Sequence, residues 1–317
     1  VTVVIETRDL AKSFGEVTAL SSIDLSIEQG EIVGVIGASG SGKTTLLRLL
    51  LGLYEPTRGE VSVLGQEPSQ FGRRDRERIG YLPQHFLLYP DLSARQNLSF
   101  SGGMYGLSWL ERRRRIPNLL DLVQLKEAAD RLASNISGGM QRRLALACVL
   151  IHRPSLIILD EPTAGLDPVL REQVWEIFDY MRGRGATLVV TTQYVTEMEY
   201  CDRVFLINRG SVVAAGAPLD LRRRAFGGDV VRMSISELTA AVVGEVLELP
   251  FVRQGNRLPN GELELIVEDA SEAIPRLTEA VLERGREVLS IEEYRASFDR
   301  IFVELIEQAE RSHAPAA

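Results

Sequence analysis

Gly37-Ala38-Ser39-Gly40-Ser41-Gly42-Lys43-Thr44 decides how this chain folds. It fits G-x-x-x-x-G-K-[ST], follows the apolar run Ile32–Ile36 and opens a helical pattern over Thr45–Leu53. That strand–loop–helix setting gives the pattern its physical meaning. Gly37, Gly40 and Gly42, with Ser39 among them, let successive backbone N–H groups curl around an anion. The helix start behind them, at Thr44 and Thr45, adds unpaired N–H donors and a partial positive charge. The stretch reads as a phosphate cradle in which Lys43 reaches the β- and γ-phosphates and the Thr44 hydroxyl holds Mg²⁺.

The rest of the chain sets bounds on that reading. At 317 residues, it has length for two or three domains, and its 45% hydrophobic and 25% charged composition suits a globular protein with a sizeable core. No apolar run approaches the roughly 18–20 residues of a membrane-spanning helix, and the first residues lack the charged-then-apolar pattern of a secretory leader. The expectation is a cytosolic chain whose membrane role comes through a partner. A net charge of −8 argues against bulk nucleic-acid binding. Cys148 and Cys201 stand alone, and His85, His152 and His313 lack metal-ligand spacing. The run Arg112–Arg115 reads as a solvated helix face in preference to a lipid-headgroup contact.

Residues 1–30 read as short strands, Val3–Thr7, Val17–Ala19 and Ile23–Ile27. Gly59–Leu64 and Ile79–Leu82 follow the cradle helix as further strands. Residues 85–153 carry apolar spacing near 3.6, with breaks expected at Pro90, Gly102-Gly103 and Pro117. Leu156–Leu159 and Ala186–Thr191 are continuous apolar runs, suited to strands buried on both faces. Asp167-Pro168 marks a helix start, and Arg209-Gly210 turns a hairpin. Composition shifts over 218–228, expected as a linker. Beyond it, 229–309 reads β-α-β-β-α-β, the split ferredoxin-like order, with a hairpin at Pro259-Asn260-Gly261, a last amphipathic helix, and a disordered tail at 310–317.

Three further motifs follow the cradle. Tyr81-Leu82-Pro83-Gln84 ends in a glutamine, Ser137-Gly138-Gly139 opens a helix, and Leu156-Ile157-Ile158-Leu159-Asp160-Glu161 is an apolar strand ending in two acids. This constellation resembles the ATP-binding-cassette (ABC) ATPases over about residues 3–217. Asp160, at the carboxyl end of a buried strand, can hold Mg²⁺, and Glu161 is placed to orient or deprotonate an attacking water. The resemblance implies an α/β fold: a P-loop NTPase core of ABC type with an antiparallel β subdomain and a helical subdomain (about 85–153) within 1–217, followed by the small α+β domain. It implies ATP and Mg²⁺ as ligands. It also implies a head-to-tail dimer in which Ser137, Gly138 and Gly139 of one copy close over the nucleotide on the other. Gln84 resembles the glutamine that meets Mg²⁺ or the water. Phe14, in Lys12-Ser13-Phe14-Gly15, resembles the ring that stacks on adenine, and Ala164-Gly165-Leu166-Asp167 resembles the loop that couples the two sites.

Two positions depart from the family pattern. Met140 stands where the signature usually has Gln. Thr191-Thr192-Gln193-Tyr194 carries Gln193 where most members have a histidine at the γ-phosphate. Gln193 can donate an amide hydrogen bond there but cannot carry a proton charge. The stretches Gln84–Leu92, Met104-Tyr105-Gly106-Leu107 and Thr191–Tyr194, with the C-terminal Ser297–Leu305, resemble the drug-export, daunorubicin-resistance-like branch. That branch implies a subunit peripheral to the cytoplasmic face of the cell membrane, serving a separate polytopic membrane subunit and energising export of drug, lipid or polysaccharide cargo. The alternatives are a soluble ABC ATPase acting on a cytosolic assembly and a low-turnover, nucleotide-gated interaction module.

Overall fold

The structure is a computed structural model that describes residues 2–85, 87–294 and 296–313. Phe86, within the expected Gln84–Leu92 stretch, and residues 314–317 of the expected tail lie outside the described residues. The chain divides into two compact units, Val1–Ala215 and Gly216–Ala317.

The first unit opens with β1 (Val3–Phe14), β2 (Val17–Glu28) and β3 (Ile32–Ile36), then α1 (Lys43–Leu50), β4 (Arg58–Val63), α2 (Arg73–Arg76) and β5 (Ile79–Leu82). Helices α3 (Ala94–Met104), α4 (Trp109–Leu122) and α5 (Gly138–Leu150) follow. Then come β6 (Leu156–Asp160), α6 (Pro168–Gly183), β7 (Thr187–Thr192), β8 (Arg203–Asn208) and β9 (Ser211–Gly216). One nine-stranded sheet runs β4-β1-β2-β9-β8-β3-β7-β6-β5. Strands β5, β6, β7, β3 and β8 are parallel, whereas β1 pairs antiparallel with β2 and β4. Every residue of β3, β6 and β7 is buried, which is why these strands read as unbroken apolar runs. Helix α1 seats Leu46, Leu47, Leu49 and Leu50 in the same core at 0–1% exposure, each worth about 1.5–3 kcal/mol of burial.

Three expectations are corrected here. The first strands are 12 residues each, not short pieces. Their register shifts repeatedly, so the apolar alternation is broken while the pairing continues. Gly102-Gly103 and Pro117 lie inside α3 and α4 and end neither. A Cβ at Gly102 would stand 3.0 Å from Arg112 Cγ, so this glycine permits a close helix–helix approach. The Arg112–Arg115 run is not wholly a solvated face: Arg112 donates to Ser99 O (2.9 Å) and Arg115 to Ile151 O (3.0 Å).

The second unit begins with α7 (Pro218–Phe226), inside the segment expected as a linker; Leu221 and Ala225 on it are buried. Then follow β10 (Asp229–Ile235), α8 (Ala240–Leu247), β11 (Val252–Arg257), β12 (Leu263–Val267), α9 (Ala270–Glu283), β13 (Val288–Glu293) and α10 (Phe298–His313). The sheet runs β11-β12-β10-β13 with all pairs antiparallel, the split β-α-β arrangement read from the order of elements. Residues 310–313, expected in a disordered tail, continue α10. Gln308 donates to Ala225 O at 2.8 Å, and the Arg222 guanidinium stands 5.0 Å from the Phe298 ring, so α10 and α7 support each other.

Candidate active site

The register of the parallel strands assembles the site. Ile36 of β3 lies beside Thr192 of β7, Thr191 beside Asp160 of β6, and Leu159 beside Leu82 of β5. The residues that follow these four strand ends therefore emerge along one edge of the sheet. They are Gly37, Gln193, Glu161 and, after Pro83, Gln84. Open α/β sheets bind their ligands at such carboxyl ends.

The loop after β3 is shaped by close approach. Gly42 has φ +110°, and a Cβ there would stand 2.7 Å from Ala19 O; a Cβ at Gly37 would stand 2.2 Å from Ile207 O. Both positions therefore require glycine. Ser39 and Gly40 stand exposed at the crest, and Thr45 is half-buried in the first turn of α1. Gly42 is the N-cap of α1 and supplies no side-chain cap, so first-turn N–H groups are left for an anion. Lys43, 4% exposed, bonds Gly37 O at 2.8 Å and Ala38 O at 3.1 Å and lies 3.6 Å from Glu161 Oε1. Burial pulls its pKa below the ordinary lysine value, against the opposing fields of Glu161 and Asp160.

The Thr44 hydroxyl donates to Asp160 Oδ1 (3.2 Å), which also accepts from Thr191 Oγ1 (2.7 Å). A hydroxyl and a carboxylate side by side are hard oxygen donors, the set that suits Mg²⁺. Among the described residues no cluster of three or more His, Cys, Asp or Glu is placed to hold a metal. A Mg²⁺ here would take its remaining ligands from phosphate and water, as that ion commonly does.

Glu161 is held from every side. Its Oε2 accepts from Gln84 Nε2 at 3.0 Å, and its N–H donates to Thr191 Oγ1 (2.9 Å) and Thr191 O (3.1 Å). Its backbone sits at φ +48°, a conformation that costs a non-glycine residue of order 1 kcal/mol and persists only where the surroundings over-determine it. Arg142 on α5 completes that restraint. Its buried guanidinium donates to Pro162 O (2.8 Å), to Gln84 O (3.0 Å) and to Glu161 O. Burial lowers the Arg142 pKa, opposed by Glu161 and Asp160. The sequence reading missed this tether and Thr191's double hydrogen bonding, because contacts to backbone carbonyls and N–H groups leave no residue pattern.

Side-chain contacts thus join Lys43, Thr44, Gln84, Asp160 and Glu161. Other expected residues stand apart. Gln193 is exposed and has no side-chain hydrogen bond among the described residues. Ser137 caps α5, accepting from Met140 N at 3.3 Å; it and Gly138 are exposed, and Gly139 is half-buried. Phe14 is 45% exposed and meets Tyr54 edge-on at 5.2 Å, with Lys12 Nζ 5.1 Å above the Phe14 ring. Tyr54, which the sequence did not single out, extends that aromatic surface. His152 does not stand in for the histidine that most family members have at the position of Gln193. It stacks on Tyr105 (3.6 Å), and burial brings its pKa down to about 4.

Comparison with known proteins agrees with this geometry. Residues 20–164 match the model of the ABC transporter family. Linearmycin resistance ATP-binding protein LnrL of Bacillus subtilis is 31% identical over 306 residues, covering 95% of this chain and 97% of that protein. Nod factor export ATP-binding protein I of Sinorhizobium fredii is 40% identical over 244 residues, covering 76% and 71%. The probable multidrug ABC transporter ATP-binding protein YbhF of Escherichia coli is 38% identical over 222 residues; the match covers 70% of this chain but only 38% of YbhF. Among solved structures, an ATP-binding subunit of an ABC transporter superposes with TM-score 0.64 at 31% identity, covering 71% of this chain and 93% of that one. The dimeric post-hydrolysis cassette MJ0796, bound to ADP and Pi, gives 0.62 at 29%, covering 67% and 98%. With the glycine loop, the two acids and the glutamine meeting at one sheet edge, and with relatives such as these, the chain belongs to the ABC transporter family of ATP-binding proteins.

Proposed function

We propose that this chain hydrolyses ATP as one of two identical subunits that close head to tail, and that the closure drives a separate membrane exporter. The observation that carries the reading is the meeting of Lys43, Thr44, Asp160, Glu161 and Gln84 at the ends of adjacent strands. Gly37–Thr45 wraps the phosphates, and Lys43 leaves its carbonyl partners to meet the β- and γ-oxygens. Thr44 and Asp160 hold Mg²⁺, which when bound neutralises charge on the phosphate oxygens. Glu161, with Gln84 at its side, orients the attacking water and takes its proton. Gln193 donates its amide to the γ-phosphate, and Phe14 with Tyr54 receives the adenine. Ser137, Gly138 and Gly139 of the second copy present the other helix start to the same triphosphate. The dimeric MJ0796 cassette supports that arrangement by likeness. The residues with these roles all lie in the first unit, and the second unit is read as an accessory domain that supports packing or pairing of copies.

A groove beside the site supports the membrane partner. It encloses about 630 Å³ and is lined by Pro83 and His85 together with Leu53, Leu87, Phe100 and Met104. Leu87 is 95% exposed and Met104 71%. Apolar side chains left in water next to the Gln84 loop suit an apolar helix end of a polytopic subunit, and on this reading the chain works at the cytoplasmic face of the membrane. Relatives named for multidrug transport, linearmycin resistance and Nod factor export support a cargo of drug, lipid or polysaccharide class. The test is purification from solubilised membranes with phosphate release measured on the product. A polytopic subunit should co-purify and steady-state release should be seen. Recovery alone, with turnover intact, would favour the soluble ATPase. Binding without turnover would favour the nucleotide-gated module.

A further inference from the structure

Gln193 leaves the end of β7 with its side chain in water, so its position is set by its backbone. On the upstream side that backbone is the buried strand. Downstream lie Tyr194 and the 3₁₀ turn Val195–Tyr200, which lack a place in the sheet. Two residues of α6 hold this turn. The Arg171 guanidinium carbon stands 4.0 Å from the centroid of the Tyr194 ring, and Arg171 Nε is 3.5 Å from Glu197 Oε1. One helical turn on, Trp175 stacks on Tyr200 at 5.1 Å and 14°. Glu197 is 1% exposed, and among the described residues neither of its carboxylate oxygens accepts a hydrogen bond. The Arg171 charge is thus what compensates a buried carboxylate. Helix α6 itself starts at Asp167, whose side chain caps Leu170 N–H at 3.0 Å.

We propose that Arg171 is a positioning residue for Gln193: by holding Tyr194 and Glu197 it fixes where the amide meets the γ-phosphate. A neutral amide donor loses its contribution when distance or angle drifts, so it demands a more rigid mount than a diffuse charge would. The inference rests on the reading that Gln193 touches the γ-phosphate.

The experiment is a double-mutant cycle on ATP turnover, with kcat and KM separated. Gln193→Ala and Arg171→Met should each lower kcat on the order of 10-fold with KM for ATP little changed. In the Gln193→Ala background, Arg171→Met should then cost less than about 2-fold. Arg171→Lys, which keeps a cation beside Glu197, should recover part of the rate. Because Arg171→Met alone strands a buried charge, the double variant Arg171→Met with Glu197→Gln is made alongside. It should melt as a folded protein and still turn over slowly. A full additional loss from Arg171→Met on top of Gln193→Ala overturns the positioning role while leaving Gln193 at the phosphate. An unchanged kcat in Gln193→Ala overturns the reading of Gln193, and the inference with it.

Discussion

Helices α1 and α5 both have a glycine at their start, Gly42 as the cap of the first and Gly138 as the first residue of the second, yet their first turns are finished differently. The start of α1 is capped by Gly42, which has no side chain to satisfy the first N–H groups, and it sits among buried residues with Lys43 folded over it. The start of α5 is capped by Ser137, whose hydroxyl is already engaged with Met140 N–H, and Ser137 and Gly138 face water. On the proposed reading the first is one half of an anion seat, and the second, exposed among the described residues, is the half that a second copy would present. The contrast is what that reading uses to give each site two copies.

The sharpest probe of that division is Glu161→Gln. The change keeps the shape that Gln84 and Lys43 hold but removes the base, so turnover should fall by about 10²- to 10⁴-fold. Nucleotide should remain bound, and the population should shift toward two-chain particles, seen by light scattering with ATP and Mg²⁺. Normal turnover would remove Glu161 from the chemistry. Lys43→Ala should act earlier. It deletes a charge-assisted contact at the α1 seat, and nucleotide affinity of the isolated chain should drop on the order of 100-fold by calorimetry. If affinity held, the α1 half would not be the primary seat.

Gly138→Asp separates the two helix starts more finely. A Cβ at Gly138 meets nothing within 4 Å, so the substitution has room. An acid in the first turn of a helix is favourable by about 0.3–1 kcal/mol, and folding stability should hold or rise. Nucleotide affinity of the lone chain should not change. Closure of two copies should nevertheless weaken by roughly 10-fold, because the added charge faces a triphosphate. Unaltered pairing and turnover in a well-folded Gly138→Asp protein would sink the two-copy site.

These residues also mark what the sequence could and could not reveal. Asp160 and Glu161 sit at the end of β6, and Lys43 and Thr44 open the helix after the loop that follows β3; both strands are fully buried, and an unbroken apolar run followed by a glycine or an acid is visible in one dimension. The pairing of Thr44 with Asp160, 116 positions apart, follows once β3, β7 and β6 lie side by side. Arg142 was hidden because it bonds carbonyl oxygens, which every residue possesses. Tyr54 was hidden because it lies between α1 and β4, far along the chain from Phe14, and only the fold brings the two rings together. The early strands were read as fragments since Ser21-Ser22 interrupts the apolar alternation of β2 where its register against β1 shifts. Helix α7 was read as linker because only Leu221 and Ala225 of its nine residues are buried, too short a stripe to stand out among arginines.

The smallest of these effects tests whether the α1 half holds the whole nucleotide or only its phosphates. Phe14 sits at the end of β1 with its ring 45% exposed, edge-on to Tyr54 and beneath Lys12. An exposed ring contributes little to folding, so Phe14→Ala should leave the melting temperature nearly unchanged. A base stacked on that ring gains about 0.5–1.5 kcal/mol from the aromatic pair, which sets a loss of roughly 3- to 10-fold in ATP affinity. Inorganic triphosphate, which has no base, should bind the variant and the parent alike. Phe14→Tyr should keep the affinity, since it keeps the face. Equal ATP affinity in Phe14→Ala and the parent would mean that the adenine rests elsewhere and that the α1 seat reads phosphate alone.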